Sequence, residues 1–335
     1  MIEKKTSDII YILKAFAIIS VVCAHISSVP EYFSETSKYV NCVLNEIGAV
    51  GVGIFFAVAG YLSGKQNAKY SFTEFVGKKT NAIFIPWMIS SSLVYIYVSL
   101  RKGGSVWGWI VSTLGYMSSY WYLTIFSVLS ILFFFIKKSE KDTLWALLLA
   151  VTAVASVIMR MTGIIEQDCF GVYLNVFNWG IFYSLGYLYC KMDKYNWEST
   201  RCRIITIILV VLVSVILLCF PLLKFDKFGY FSYAYIPIEI AIIYILVRVA
   251  NIFSTKDCKL LKLIGKLSFS IYLYNELLWA GLIVYLGNKV DCWLLLFVRP
   301  IMVLGAVIGE IMIGRLIFSL FKGEKFFDIL TGVRL

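Results

Sequence analysis

The stretch DIIYILKAFAIISVVCAHISSV, residues 8–29, decides the fold. As a helix it is long enough to cross a ~30 Å hydrocarbon core, and only one lysine and one histidine interrupt its apolar run beyond Asp8. A cleaved signal peptide would show a shorter apolar core followed by a small-x-small site. This stretch shows neither, and it carries Lys14 inside. With residues 9–29 as the first span, nine more of similar character follow, at roughly 44–63, 82–100, 120–136, 143–160, 170–190, 204–223, 233–252, 267–286 and 292–320. The pattern predicts an all-α, polytopic transmembrane bundle of about ten helices.

Composition agrees. The 335 residues are 60% hydrophobic and 15% charged, with a mean hydropathy of +0.84. A soluble domain of this length needs far more polar surface. No polar linker, repeat or low-complexity tract divides the chain, so residues 1–335 read as one membrane domain. Chemistry, if there is any, belongs in or beside the bilayer.

The net charge of +11 suggests nucleic acid until its placement is read. With the N-terminus inside, 22 of the 31 basic residues fall in cytoplasmic segments, among them Lys65, Lys78, Lys79, Lys138 and Lys262. Seven fall outside: Lys38, Arg101, Lys102, Arg160, Lys224, Lys227 and Lys289. Lys14 and Arg299 lie within spans and complete the set. The bias places both termini in the cytoplasm of a multi-pass cell-membrane protein by the positive-inside rule, and the basic excess then faces the inner leaflet rather than nucleic acid. The eight cysteines include no CxxC pair and read as small apolar fillers. There is no metal-ligand cluster and no phosphate-binding loop; GVG at 51–53 is helix-packing glycine.

Polar groups inside the membrane are costly and therefore informative. Lys14 and His25 are eleven residues apart. At 100° per residue that is about 1100°, within about 20° of three turns, so both project from one helix face across a ~16 Å rise. His25 is the only histidine in the chain. A neutral imidazole serves as general base on a hydroxyl near pH 7 without a large pKa shift. A histidine at the outer water interface and a snorkelling lysine at the inner one would have the same spacing. Glu239 and Arg299 fall in the outer third with His25 and can share one polar pocket, either as an ion pair or with the acceptor. Glu46 sits at the outer mouth of the second span, Glu276 near mid-membrane, and Glu310 deeper toward the cytoplasm. Trp121 and Trp179 are placed to stack on a sugar ring or to join the interfacial aromatic belt.

Five segments together resemble the acyltransferase-3 family of integral membrane acyltransferases. LKAFAIISVVCAH at 13–25 resembles its opening signature, a basic residue, ten intervening residues and a histidine. Lysine stands where arginine is commoner, and the resemblance then suggests a subgroup acting on saccharides. GVGIFFAVAGYLSG at 51–64 is similar to the family's second helix, with Ala59 in place of serine. FVGKKTNAIFIPW at 75–87 resembles its basic cluster and proline, matching Lys78, Lys79 and Pro86, while Thr80, Asn81 and Ala82 replace further basic residues. YWYLTIF at 120–126 resembles the opening of a central helix and places Trp121. LSFSIYLYNELLW at 267–279 resembles a late segment in which Asn275 stands where histidine is usual.

The resemblance implies transfer of an acyl group, usually acetyl from acetyl-CoA, to a hydroxyl of a saccharide or lipid-linked glycan, with His25 as the catalytic residue. Lys14, Lys78 and Lys79 are the basic groups best placed to hold the anionic phosphates of coenzyme A at the inner face. Glu239, Arg299, Trp121 and Glu46 are the candidates for the acceptor. No metal is expected, and the oligomeric state is not encoded legibly. A general-base role and a covalent acyl-imidazole remain alternatives for His25. The competing class is a transporter or flippase for the glycan, although no internal repeat or matched pair of interrupted helices supports it.

Overall fold

Backbone in hydrocarbon has no water to bond, so an apolar segment closes its hydrogen bonds within itself. The computed structural model, which describes residues 4–66, 70–116, 118–166, 168–192, 204, 207–209, 211–212, 235–275 and 279–333, is helical in every regular element so described. The helices are α1 (Lys4–His25), α2 (Glu35–Ala49), α3 (Gly51–Lys65), α4 (Phe72–Lys79), α5 (Ile85–Lys102), α6 (Val106–Thr113) and α7 (Trp121–Ile136). They continue with α8 (Asp142–Met161), α9 (Val176–Lys191), α10 (Tyr235–Ser254), α11 (Lys259–Tyr274), α12 (Gly281–Gly287), α13 (Trp293–Leu320) and α14 (Glu324–Thr331). Wider π-helical turns occupy Thr80–Phe84 and Cys169–Tyr173.

Among the described residues, six helical runs are long and apolar enough to cross a membrane: Lys4–His25, Glu35–Lys65, Phe72–Leu100, Asp142–Arg160, Ile236–Ser254 and Trp293–Leu320. Trp121–Ile136 is a shorter apolar helix. The chain is a polytopic helical bundle. Its outward surface confirms the solvent: α8 buries Ala146, Leu149 and Ala153 but exposes Leu144, Leu147, Leu148, Val151, Val154 and Ile158. So large an apolar patch suits lipid and not water.

Several span boundaries differ from the sequence reading. The stretch read as 44–63 is two helices, α2 and α3, meeting at Val50. The stretch read as 267–286 begins at Lys259 and is covered by α11 to Tyr274 and by α12 from Gly281, with residues 276–278 outside those described. Apolar windows report burial and not helix ends, which are set by caps. Ser71 and Glu74 form a reciprocal capping box that starts α4 at Phe72, ten residues before the window read as 82–100. The expected span 204–223 lies largely outside the described residues.

The chain divides into two compact units, residues 1–52 with 196–335 and residues 53–195. In the first, α1 is the central helix and packs on α2, α10, α11 and α13. Ile12, Ala15, Ala17, Ile18 and Val22 are fully buried, as expected of a helix that is apolar on nearly every face. Gly265 of α11 lies against the Tyr11 carbonyl and Gly48 of α2 against Ala24, so close that a Cβ at either position would overlap the α1 backbone. Small residues that let helix backbones approach are the usual packing device in lipid.

The second unit uses the same device: Gly60 of α3 lies against the Tyr183 carbonyl, and Gly186 of α9 against that of Ala57. α8 and α9 form an antiparallel pair, tied at one end by Asp142, which accepts from Lys191 and from the Tyr187 hydroxyl at 2.6 Å each. At the other end Ser156 donates to Asn178 at 2.8 Å. Lys137 reaches the carbonyls of Ser63, Gly64 and Gln66 and so closes the C-terminal turn of α3 with a cation.

Candidate functional site

His25 is the last residue of α1 and is half-buried. α1 is unbroken from Lys4 to His25, so the eleven-residue spacing from Lys14 keeps its helical meaning. Lys14 is half-buried on the same helix. α11 runs beside α1 in the same direction: Lys262 pairs with Asp8 at 2.7 Å near their starts, and at the far end Asn275 caps α11 opposite His25.

The Asn275 side chain is fully buried, and its donors fix which way it points. Nδ2 donates to the carbonyls of Ile271 and Tyr272, each at 2.9 Å. Oδ1 is thereby turned toward the imidazole, 2.8 Å from Nδ1 of His25. The Ile271 carbonyl thus accepts both the backbone N–H and the side-chain amide of Asn275, each at 2.9 Å, and the Ala280 N–H closes a wide turn onto the Asn275 carbonyl at 3.1 Å. Wide turns of this kind are frequent at functional sites.

The chain leaving His25 is held at three further points. Arg299, 2% exposed, donates from Nη1 to the Ser28 carbonyl at 3.0 Å and from Nη2 to Asn288 Oδ1 at 2.9 Å. Its Nε has no hydrogen-bond partner among the described residues and lies against Gly287, where a Cβ would collide with the guanidinium. The Tyr32 hydroxyl donates to the Asn288 carbonyl at 2.6 Å. Asp291 receives the Ser34 N–H at 2.7 Å and the Ser37 hydroxyl at 2.6 Å. The Ser37 hydroxyl, the Ser34 N–H and, more weakly, the Lys38 charge hold the Asp291 carboxyl below the usual carboxylate range.

The other residues expected at a site divide between the two units. In the first, Glu239 is fully buried in α10, which packs on α1, and Glu46 is buried two residues before the Gly48 contact. In the second, the Lys78 ammonium stands 3.6 Å from the Tyr70 ring centre, and that of Lys79 stands 4.6 Å from the Phe126 ring centre. Trp121 opens α7 with its ring 4.9 Å from Trp179 and 5.1 Å from Tyr173. Trp179 is interior, with its indole N–H on the Tyr173 carbonyl, so it is a packing residue of this unit. Glu276 lies outside the described residues. Glu310 accepts the Trp279 indole N–H at 2.9 Å.

Residues 8–315 match the family model described as an acyltransferase domain, nearly the whole chain. The chain belongs to the acyltransferase-3 family. No curated protein and no solved structure gives a match. Membership makes this membrane protein an acyl-transfer enzyme in general terms, and the match spans both compact units of the acyltransferase. Sequence reasoning about the acyltransferase found His25 from its spacing to Lys14 but did not join it to Asn275, 250 residues away. The only linear signal for that pairing is the place of Asn275 in the late segment that resembles the family. Asn288 and Asp291 carry no signal at all, because loop residues reveal their partners only after the helices have packed.

Proposed function

We propose that this acyltransferase transfers an acetyl group from cytoplasmic acetyl-CoA to a hydroxyl of a cell-surface or lipid-linked glycan at the cell membrane. The hydrogen bond between His25 and Asn275 carries the reading, since it holds the chain's single imidazole at the end of a membrane helix. In the step proposed, the acceptor oxygen attacks the thioester carbonyl, an O–C bond forms and the C–S bond breaks. His25 takes the hydroxyl proton and returns it to the departing thiolate. A covalent acyl-imidazole route would use the same side chain. Lys14, Lys78 and Lys79 are proposed as the basic groups for the donor's phosphates. A cation–π seat positions the Lys78 charge without adding an anion at the ring. Glu239, Arg299, Glu46 and Trp121 are proposed to serve the acceptor, Arg299 by holding the chain around Ser28. Both termini are proposed to be cytoplasmic.

Labelled acetyl-CoA and purified protein in lipid test the reading. His25→Ala should lose transfer by at least the ~10²–10⁴-fold typical of a positioned acid–base group, with normal insertion and abundance. His25→Gln keeps hydrogen bonding without proton chemistry and should be nearly as inactive. Near-parental turnover in a well-expressed His25→Gln protein would remove the enzymatic role of this residue, and glycan transport without turnover would favour a transporter.

A further inference from the structure

A histidine acts as a base through whichever ring nitrogen carries the lone pair, so its tautomer decides whether the base points at the substrate. Nothing in the sequence around His25 sets that choice. In the structure it is set by the Asn275 amide. The amide nitrogen is committed to the Ile271 and Tyr272 carbonyls at 2.9 Å, which leaves only the oxygen to face Nδ1 at 2.8 Å. Turning the amide over would aim its oxygen at two carbonyl oxygens, which repel it, and would give up both N–H donors. An oxygen facing Nδ1 requires the proton on Nδ1, and the lone pair of the neutral ring is then on Nε2.

We propose that Asn275 is the positioning residue for His25, fixing the Nδ1–H tautomer so that Nε2 is the base. The proposal rests on the acyl-transfer reading for its purpose, but the tautomer itself does not. Asn275 acts through His25 and does not touch the reacting atoms. A neutral amide suits the location: a carboxylate in the same place would be a further charge within the bundle, facing the two carbonyls that the amide now satisfies. The fixing group is itself held by the α11 helix end, so the base inherits the rigidity of that helix rather than of a loop.

The single histidine makes the test direct. Protein labelled with ¹⁵N-histidine and reconstituted in lipid gives one imidazole, whose two nitrogen resonances tell a protonated site from a lone-pair site. At a pH where the ring is neutral, the parent protein should show the proton on Nδ1. A proton on Nε2 in the parent overturns the proposal, and this measurement needs neither turnover nor a variant. Asn275→Leu, which has similar volume and no acceptor, should lose the tautomer preference. Its kcat for acetyl transfer should fall by about 10²-fold or more, with KM for acetyl-CoA little changed. Retention of the Nδ1–H tautomer in a folded Asn275→Leu protein would also overturn it. Failure of the acyl-transfer reading appears separately, as turnover that survives His25→Gln whatever the tautomer.

Discussion

A polar side chain inside a membrane bundle stays only where its groups are satisfied or used, and each bond it makes narrows which of the two applies. The two terminal nitrogens of Arg299 are an example of the first kind. These Nη donors meet the Ser28 carbonyl and Asn288 Oδ1, both neutral, and glycine at 287 clears room for the rest of the guanidinium. It is a tether for the segment that follows His25. A lysine there cannot span both acceptors with fixed geometry. Lys14, on the face that leads to His25, is proposed to belong to the second kind. Lys14→Ala should weaken binding of labelled acetyl-CoA to the reconstituted protein by more than Lys38→Ala does. Lys38 is an exposed partner of Glu35 at 2.9 Å, where an ion pair contributes little, and so serves as the control. Lys14→Arg should bind nearly as the parent does. Equal affinity in Lys14→Ala and the parent would defeat the proposed donor role.

Helix ends, more than helix bodies, place the site. α1 and α11 approach through Gly265 and are joined near their starts by the Asp8–Lys262 pair, so their far ends meet with little freedom. The pairing of His25 with Asn275 is a consequence of that register. The loop after α1 is then fastened by Asp291 to the start of α2, where Ser34 is the N-cap. The Asp291 carboxyl is held below its ordinary range, so the carboxylate form is favoured in the folded state. A group depressed in this way contributes its stabilisation at pH values above the ordinary carboxylate range and loses it as pH falls through its folded value. Acidification should therefore release the 30–37 segment before the helices open, visible as faster backbone hydrogen exchange there after correction for the intrinsic pH dependence. Asp291→Asn, which cannot accept with both oxygens, should show the faster exchange already at neutral pH. Exchange in that segment indifferent to both changes would count against the clamp.

At the level of the whole molecule, the distribution of charge predicts orientation. An impermeant amine reagent added to intact cells should modify Lys38 and Lys289 and spare Lys78, Lys79 and Lys259. Lys259 is a better reporter than Lys262, because its side chain is 86% exposed while Lys262 is engaged by Asp8. Modification of Lys259 from outside would overturn the orientation proposed. The two compact units carry different parts of the proposed chemistry. His25, Asn275, Lys14, Glu239, Glu46 and Arg299 belong to the first, and Lys78, Lys79 and Trp121 to the second. Basic residues near the helix ends have a second use within a unit, since Lys137 closes α3 and Lys191 pairs with Asp142. Part of the charge counted for orientation is thus also structural.

Membrane insertion, helical class and the identity of the one imidazole were legible in the chain because each depends on local terms. Hydropathy sums over about twenty neighbours, and the angle between Lys14 and His25 follows from the helix repeat. The division of the 44–63 stretch into α2 and α3 was hidden for the same reason. An apolar window registers transfer to lipid, and GAVGVG at 48–53 stays apolar straight through Val50. Tertiary structure decided what surrounds His25: Gly265 lets α11 close on α1, the Asn275 amide nitrogen bonds two carbonyls of the last α11 turn, and its oxygen is thereby turned toward the ring. Such a contact depends on the register of two helices whose interacting residues are 250 positions apart, and register is set by packing that no local sum contains.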